Sequence, residues 1–568
     1  MQERYNESQG SEDRTEGSVA GYVPVDDYRG SGERQVGDSQ PHREHAASRL
    51  SGRARVSAAT GPWPRRLTPC LVLAGGLSAL ACTGSSTGQA PPAAPREPIT
   101  LTIGVPQSRQ IDPAHGVPGL ASTLAFERLS TSSAEGHPQA RLLKSWSVSG
   151  DGLTWRLLLR PGVKFQDGSP LTADDVKRTF DAVISDPNSR NLTVCLPNVA
   201  SISAASDSEV VFTLTRRCSY LLDDLDSPIS RTAADGKTRL GTGAFSIASS
   251  SDDGVTLEAN RYYYGGPPAI DRVVVKPFDA LRTAWAGMMR GQVDFLWEVG
   301  PETAEFLSGR STVDVRSFLG FYAYSLMLNS ARPPFRKAEV RRAFDMAVDR
   351  AVIVQQALKG RGVEADGPVW PRYWARDPRA RAAVYNPAEA GVLLRAARQG
   401  PIEFTCLVPA NFSILERMAL LVQQQLGEIG VRMRLESLPS DVVNQRIVSG
   451  QFDAVMISIL GGPYATVFHR FWHSAGEAKR WNFWGYRNAR VDEALDSALD
   501  SVSEREFGEA IRRFEAAVRD DPPAVFLAWN QTVQAVSRRF IVPADGAGRD
   551  AIYVLSRWLL RQPGSAAR

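Results

Sequence analysis

Cysteine is scarce, with five in 568 residues, which excludes a small disulfide-built scaffold. No Cys-x-x-Cys pair and no Cys/His cluster at zinc spacing occurs, so a structural zinc is not expected. No G-x-S-x-G elbow between a strand and a helix, no H-E-x-x-H, no P-loop and no strand-linked G-x-G-x-x-G is present, which leaves catalytic chemistry without a signature and no cofactor implied. Charge of one sign is also lacking: 66 Lys and Arg against 62 Asp and Glu leave a formal +4, too weak and too spread to announce a nucleic-acid partner. No repeat appears at solenoid periods. What is present, 43% hydrophobic and 23% charged residues, is ordinary for a globular protein, so collagen-like, wholly disordered and polytopic membrane classes are excluded.

The N-terminal tenth differs in kind. Residues 1–62 are rich in Ser, Gly, Arg, Asp and Glu without apolar periodicity, and no fold is expected there. Pro64-Arg65-Arg66 and the run LTPCLVLAGGLSALAC are too short to span a bilayer comfortably, which takes about 20 residues. A basic pair, an apolar stretch and small residues before a cut describe a secretory signal over 63–82. Ala79-Leu80-Ala81-Cys82 resembles a bacterial lipobox, with the Leu one place nearer the Cys than usual, so Cys82 is the expected lipidation site and a dually acylated anchor to the cell envelope is implied. The competing reading is a short buried helix with an incidental cysteine. Residues 83–97 read as a flexible tether. Because a signal normally begins a chain, translation is expected to start near Val56.

Of the remaining cysteines, Cys70 lies in the signal, leaving Cys195, Cys218 and Cys406. In an oxidising compartment Cys195 and Cys218 either pair or remain two buried thiols; both readings stand at this point.

From about residue 98 strands and helices mix. Asp151-Gly152 opens a strand with Leu153, Trp155, Leu157 and Leu159 at alternate positions, a hairpin pattern. A second turn at Asp167-Gly168 precedes Thr172, placed to cap a helix from Ala173. Ser413-Ile-Leu-Glu416 reads as a capping box for a helix over 413–429, carrying Ile414, Met418, Leu421 and Leu426 as an apolar stripe and ending at Gly430. Strands follow over 431–438 and 453–460, an α/β unit with its sheet covered by helices.

Six blocks carry a family resemblance. DGLTWRLLLRPGVKFQDGSPLTADDV (151–176), LGTGAF (240–245) with LEANRYYYGGPP (257–268), GQVDF (291–295), YSLMLNSARPPFRKAEVRRAFDMAVDR (324–350), QQQLGEIGVRMRLES (423–437) and WNFWGYRNARVDEALDSA (481–498) resemble the family-5 extracellular solute-binding proteins of ABC importers, the oligopeptide, dipeptide and nickel type, in the expected order over 98–562. The resemblance implies an α/β, two-lobed clam shell of the type II periplasmic-binding-protein kind. A large lobe over 98–277 and 528–562 would carry an extra subdomain at about 125–235, and a small lobe would occupy 278–527. It implies a monomer on the periplasmic or extracellular face of the envelope that closes on a small solute and delivers it to a permease and ATPase, with no chemistry of its own. A sensor or chaperone-like surface lipoprotein of the same fold, or an exported hydrolase, are the alternatives, since fold is not function.

In the family the segment after this strand forms a main-chain ledge for the ligand, here Ser458-Ile459-Leu460-Gly461-Gly462. Peptide binders hold the ligand's ammonium with an Asp at the position matching Gly462, and a dipeptide binder can hold the carboxylate with an Arg in the loop matching 408–412; neither is present here. A buried unpaired ammonium costs several kcal/mol, so the solute class is open among peptides, oligosaccharides and metal chelates. Trp297, Tyr322, Tyr324, Tyr464 and Trp529 are candidate cleft aromatics, with Thr242 and Gly243 of the LGTGAF block beside them. Trp481, Phe483 and Trp484 are expected to pack a small-lobe helix. His469 and His473, four apart, have metal-binding spacing, but two imidazoles leave a coordination sphere half empty, so a solvated helix face is expected and no metal ligand is assigned. Arg372 is expected to be a surface residue, with anion anchoring as its other reading.

Overall fold

Two long strands run through the middle of the protein, and every other element is arranged about them. In the computed structural model, which describes residues 97–106 and 116–562 except 191, 382–383, 398–399, 411, 463, 475–480 and 547, Val313–Leu328 and Ala524–Ser537 are antiparallel neighbours in a mixed sheet of eleven strands. The extension, the signal with Cys82 and the tether up to residue 96 lie outside the described residues. Beyond Ala524–Ser537 come, in order, Phe295–Leu296, Thr100–Pro106, Arg272–Phe278, Gly254–Ala259 and Phe245–Ser251; beyond Val313–Leu328 come Ala454–Leu460, Glu403–Pro409 and Arg432–Leu438. Thr100–Pro106 pairs in parallel with both of its neighbours, as does Glu403–Pro409, and these strands are largely buried, as expected of parallel strands covered on both faces.

Each long strand serves both halves. Residues 313–319 pair with 531–537 on the first side, and 323–327 pair with 524–529 on the second. Between them the register slips: Leu319 faces Gln531 but Ala323 faces Trp529, so three residues on one strand, Gly320, Phe321 and Tyr322, stand against Asn530 alone. Extra residues in one strand break the ladder and bend it. Among the described residues this is where the main sheet passes from one lobe to the other, the place a hinge would occupy.

Besides one core that runs from residues 129–240 into the second lobe, each end of the main sheet has a core of its own. Leu101, Ile103, Phe245, Leu257, Val273, Phe295 and Trp558 fill one, and Leu326, Phe335, Phe344, Phe404, Met418, Met456 and Leu527 fill the other. The lobe boundary differs from the expected 278. Phe295–Leu296 pairs with Ile103, Gly104, Ala535 and Val536, and Ala284, Met288 and Leu307 pack against Val533 and Ala535. Residues 281–319 therefore build onto the first lobe, because a short strand completes its sheet before the chain crosses.

The inserted subdomain is a four-stranded antiparallel sheet in the order Leu143–Val148, Thr154–Leu159, Glu209–Leu214, Val199–Ser206, with helix Ala173–Ser185 packed on it. The hairpin forms at Asp151-Gly152, where Gly152 has φ +74° and Asp151 accepts the Leu153 amide at 3.0 Å. Cys195 and Cys218 are joined as a disulfide with Cα atoms 5.6 Å apart; Cys406 is a buried thiol. In the second lobe the helix Ser413–Glu428 starts one residue earlier than a Ser413 cap requires. Phe412 holds the cap position and no side chain caps the helix, so the expected capping box is not formed. Its end at Gly430, φ +81°, and its burial of Met418 and Leu426 follow the sequence pattern.

Helix Ala173–Ser185 is anchored by Asp175, which is fully buried. Its carboxylate accepts the Thr172 amide at 3.0 Å and hydroxyl at 2.9 Å, two Arg231 nitrogens at 2.9 and 2.6 Å and Arg178. Burial pushes this carboxyl up, but the Arg231 and Thr172 bonds outweigh it and hold it below the usual carboxylate range. A depressed folded value means the stabilisation is complete above the unfolded value of about 3.9 and is lost as pH falls through the folded one. Asp175→Asn is expected to cost about 3 kcal/mol at neutral pH, the penalty of breaking a buried pair from one side, and to flatten the acid limb of stability. Urea unfolding at several pH values measures both.

Candidate functional site

The ledge expected after residue 458 sits at the hinge. Ala454–Leu460 pairs with 322–328, placing Leu460 opposite Tyr322 and Ser458 opposite Tyr324. The Gly461 amide then donates to the Phe321 carbonyl at 2.8 Å, carrying the ladder one residue further into the bent segment. The glycines are required by packing. A Cβ on Gly461 would stand 2.5 Å from the Trp529 ring and 2.6 Å from the Pro368 carbonyl, and one on Gly462 would stand 2.8 Å from Phe321 Cβ. An acidic side chain at 462 therefore has no room while Phe321 stays in place.

The candidate residues divide into those at the meeting of the lobes and those in the cores. Tyr322, Ser458, Leu460 and Tyr464 are partly exposed, at the ledge and on its partner strand. Trp529, placed in the cleft by sequence, is fully buried beneath Gly461. Trp297 lies in the first lobe's core with its indole donating to Asp550 at 2.7 Å, and Tyr324 belongs to the second lobe's core. Tyr324 and Trp529 face inward because the crossing strands are covered on both sides, and Trp297 because it follows Phe295–Leu296 into the first lobe's core, a burial that an aromatic residue in a sequence does not reveal. Thr242 is buried and donates to Glu127 at 3.0 Å. Gly243 lies against the carbonyls of Leu124 and Ala125, where a Cβ would come within 2.4 Å. The LGTGAF block thus braces the first lobe around Glu127, a buried carboxylate that also accepts from Arg141 at 2.7 Å and Tyr264 at 3.1 Å. Arg372 is exposed. Trp481 packs edge-on against Phe471 of the helix Ala465–Trp472.

Around the ledge the inserted subdomain is docked on the second lobe. Ser219 donates its amide to the Leu499 carbonyl at 2.8 Å and its hydroxyl to the Ala498 carbonyl at 2.7 Å. The Tyr220 hydroxyl donates to the Leu495 carbonyl at 3.2 Å, and Arg216 holds Asp500 with two bonds of 3.2 Å. Trp374 stacks between His137 and Phe507, at 4.7 and 5.3 Å. Most telling is Asp223, whose carboxylate accepts the Ala465 amide at 2.8 Å and so caps the helix that begins at the ledge. Helix N-termini offer unpaired amides to anions. Burial pushes the Asp223 carboxyl up to about 7. Sequence reasoning missed Asp223 and Tyr220; no short motif marks either, and their role exists only through contacts 242 and 275 residues away in sequence. The core of the subdomain runs on without a break into that of the second lobe. A small, solvent-open recess remains at the hinge, lined by Glu298 and Gly300 of the first lobe, Leu358, Arg361 and Ile414 of the second, and Asn530 to Val533 of the crossing strand.

This arrangement of two α/β lobes on crossing strands agrees with what comparison finds. The family Bacterial extracellular solute-binding proteins, family 5 Middle, matches residues 137–479, more than half of the chain. The chain belongs to that family. As a family-5 solute-binding protein it is similar to a probable D,D-dipeptide-binding periplasmic protein, DdpA, of Escherichia coli (strain K12), 25% identical over 68% of this chain and 78% of the relative. It is also similar to the glutathione-binding protein GsiB of Pectobacterium atrosepticum, 26% identical over 70% and 81%. Among solved structures, NikZ from Campylobacter jejuni in complex with Ni(L-His) superposes with a TM-score of 0.68 at 21% identity, covering 81% of this chain and 99% of that one. The oligopeptide-binding protein AppA from Bacillus subtilis with a nonapeptide gives 0.67 at 21%, covering 82% and 100%. At such identity these structures establish the fold, the two-lobed family-5 clam shell.

Gly461→Ala is expected to lower unfolding stability by about 1–3 kcal/mol, because a methyl group meets a ring and a carbonyl that are both held by the core. Thermal denaturation checks this; an unchanged midpoint would mean that Trp529 is not packed under the ledge.

Proposed function

We propose that this family-5 protein is the solute-capturing subunit of an ABC importer, binding a peptide or another small polar solute at the ledge between its lobes and presenting the closed form to a membrane permease driven by an ATPase. The observation that carries the reading is the bent crossing at 320–322 and 529–531, which joins the two halves of the main sheet right where the ledge at Gly461-Gly462 ends. A hinge at the ligand site lets closure bury the solute and signal occupancy. Tyr322, Ser458, Leu460 and Tyr464 are the side chains proposed to meet the solute.

The solute's charge is the finer question. With Gly462 against Phe321, the ledge itself supplies no carboxylate for an ammonium group. Asp223 supports a second reading: it brings a carboxylate to the ledge from the opposite side, so a free-amino peptide would find its partner on the subdomain.

A thermal-shift screen of the purified chain against free-amino peptides, N-acetylated peptides, oligosaccharides, opine-like amino acids and metal chelates separates these readings. A ligand of the native state adds about 2.7 kcal/mol at a hundredfold excess over its Kd. A concentration-dependent shift with one class is the expected result. A shift with free-amino peptides that is lost in Asp223→Asn favours the second reading, and no shift with any class overturns the solute-capture proposal. For the anchor, lipid labelling in a bacterial host is expected to mark the wild type and to vanish in Cys82→Ser; equal labelling of both would refute Cys82 as the acylated residue.

A further inference from the structure

The two histidines expected on a solvated helix face are buried instead. His469 lies in the last turn of the helix Ala465–Trp472 and His473 caps its end; they are 9% and 6% exposed. Their rings stack 4.5 Å apart, within 7° of parallel. The facing helix Ala489–Leu499 brings Asp496 to them, its Oδ2 3.5 Å from His473 Nε2 and its Oδ1 4.0 Å from His469 Nε2. One ligating atom from each of the three residues lies within 4.8 Å of the others. Neither ring nitrogen of His469 reaches a hydrogen-bond partner, and a buried polar group left so requires an explanation.

The donor set suits a metal. Two imidazoles and one carboxylate match borderline divalent ions of the zinc, nickel and copper class; calcium and magnesium prefer all-oxygen sets. Zinc–ligand bonds of about 2.0–2.2 Å in a tetrahedron put ligand atoms about 3.4 Å apart, so separations of 3.5 and 4.0 Å need only small side-chain rotations. Three protein ligands leave the fourth position for water.

We propose that His469, His473 and Asp496 form a binding site for one divalent cation of the zinc class, at the seam where the inserted subdomain docks on the second lobe. Two subdomain residues close over it. Tyr220 stands edge-on to His469 with ring centres 6.4 Å apart, and Arg216 lies 3.6 Å from Asp496 and 3.2 Å from Asp500. When the cation takes Asp496, Arg216 keeps Asp500, so the docked arrangement survives loading.

Titration of the full metal-free chain with zinc, followed by calorimetry, and with copper, followed by electron paramagnetic resonance, tests the site. The expected results are one zinc equivalent whose affinity falls at least tenfold in both Asp496→Asn and His473→Gln, and a copper spectrum carrying hyperfine structure from two imidazole nitrogens. The copper spectrum needs no variant, so it decides the question even if a substituted chain fails to fold. Absence of stoichiometric zinc binding, zinc affinity unchanged in both variants, or a copper spectrum without two imidazole nitrogens each overturns the proposal. The result is independent of which solute, if any, the ledge captures.

Discussion

The pairing of Val313–Leu328 with Ala524–Ser537 is the constraint on which the rest of this protein depends. Each strand gives its two halves to different lobes, so the lobes share a continuous backbone ladder, while the two ends of the main sheet keep cores of their own. A ladder that is regular for seven pairs, slips after Leu319 and slips again between Tyr324 and Ser325 is stiff along its first half and more compliant beyond it. The first slip also decides where the ledge can be, because Gly461 continues the ladder onto Phe321, inside the bent segment. Hinge and proposed solute site are therefore one structural feature.

The docked arrangement is held by a second kind of contact. The subdomain reaches the other lobe through main-chain acceptors at Leu495, Ala498 and Leu499, through the Arg216–Asp500 pair and through Asp223 at the start of the helix Ala465–Trp472. Few of these bonds are strong alone. Exposed ion pairs contribute about 0–1 kcal/mol each, and a hydrogen bond about 1 kcal/mol net. These bonds lie beside the stacked rings of Trp374 and Phe507 and a continuous apolar core, and a solute that shifts the arrangement must do so with its own differential binding energy.

The fold was legible wherever the sequence carried local chemistry. Asp151-Gly152 announced its hairpin, Thr172 its helix, and the six blocks the family. The capping box at Ser413 failed because the backbone enters that helix one residue sooner, and the lobe boundary at 278 failed because a two-residue strand, Phe295–Leu296, is too short to leave a periodic signal. The proposed ledge at 458–462 could be named from the resemblance as a stretch of chain, but not its surroundings: its glycines answer to Trp529, Pro368 and Phe321, partners far away in the chain. Trp297, Tyr324 and Trp529 looked like cleft aromatics for the same reason: ring chemistry is visible in a sequence, and the side it faces is not. Asp223 and Asp496 were invisible as functional residues because each acquires its role from a helix in another part of the chain.

The central claim is that the lobes move about the 320–322 and 529–531 crossing and that the subdomain seam holds them shut. Fluorophores attached through cysteines introduced at the exposed Ser208 of the subdomain and Ser440 of the second lobe, read by single-molecule energy transfer, measure it directly. The account predicts a short-distance population in the otherwise native chain that shifts to longer distance when Arg216 and Tyr220 are both replaced by alanine. A single distance distribution, unchanged by those substitutions, would contradict it.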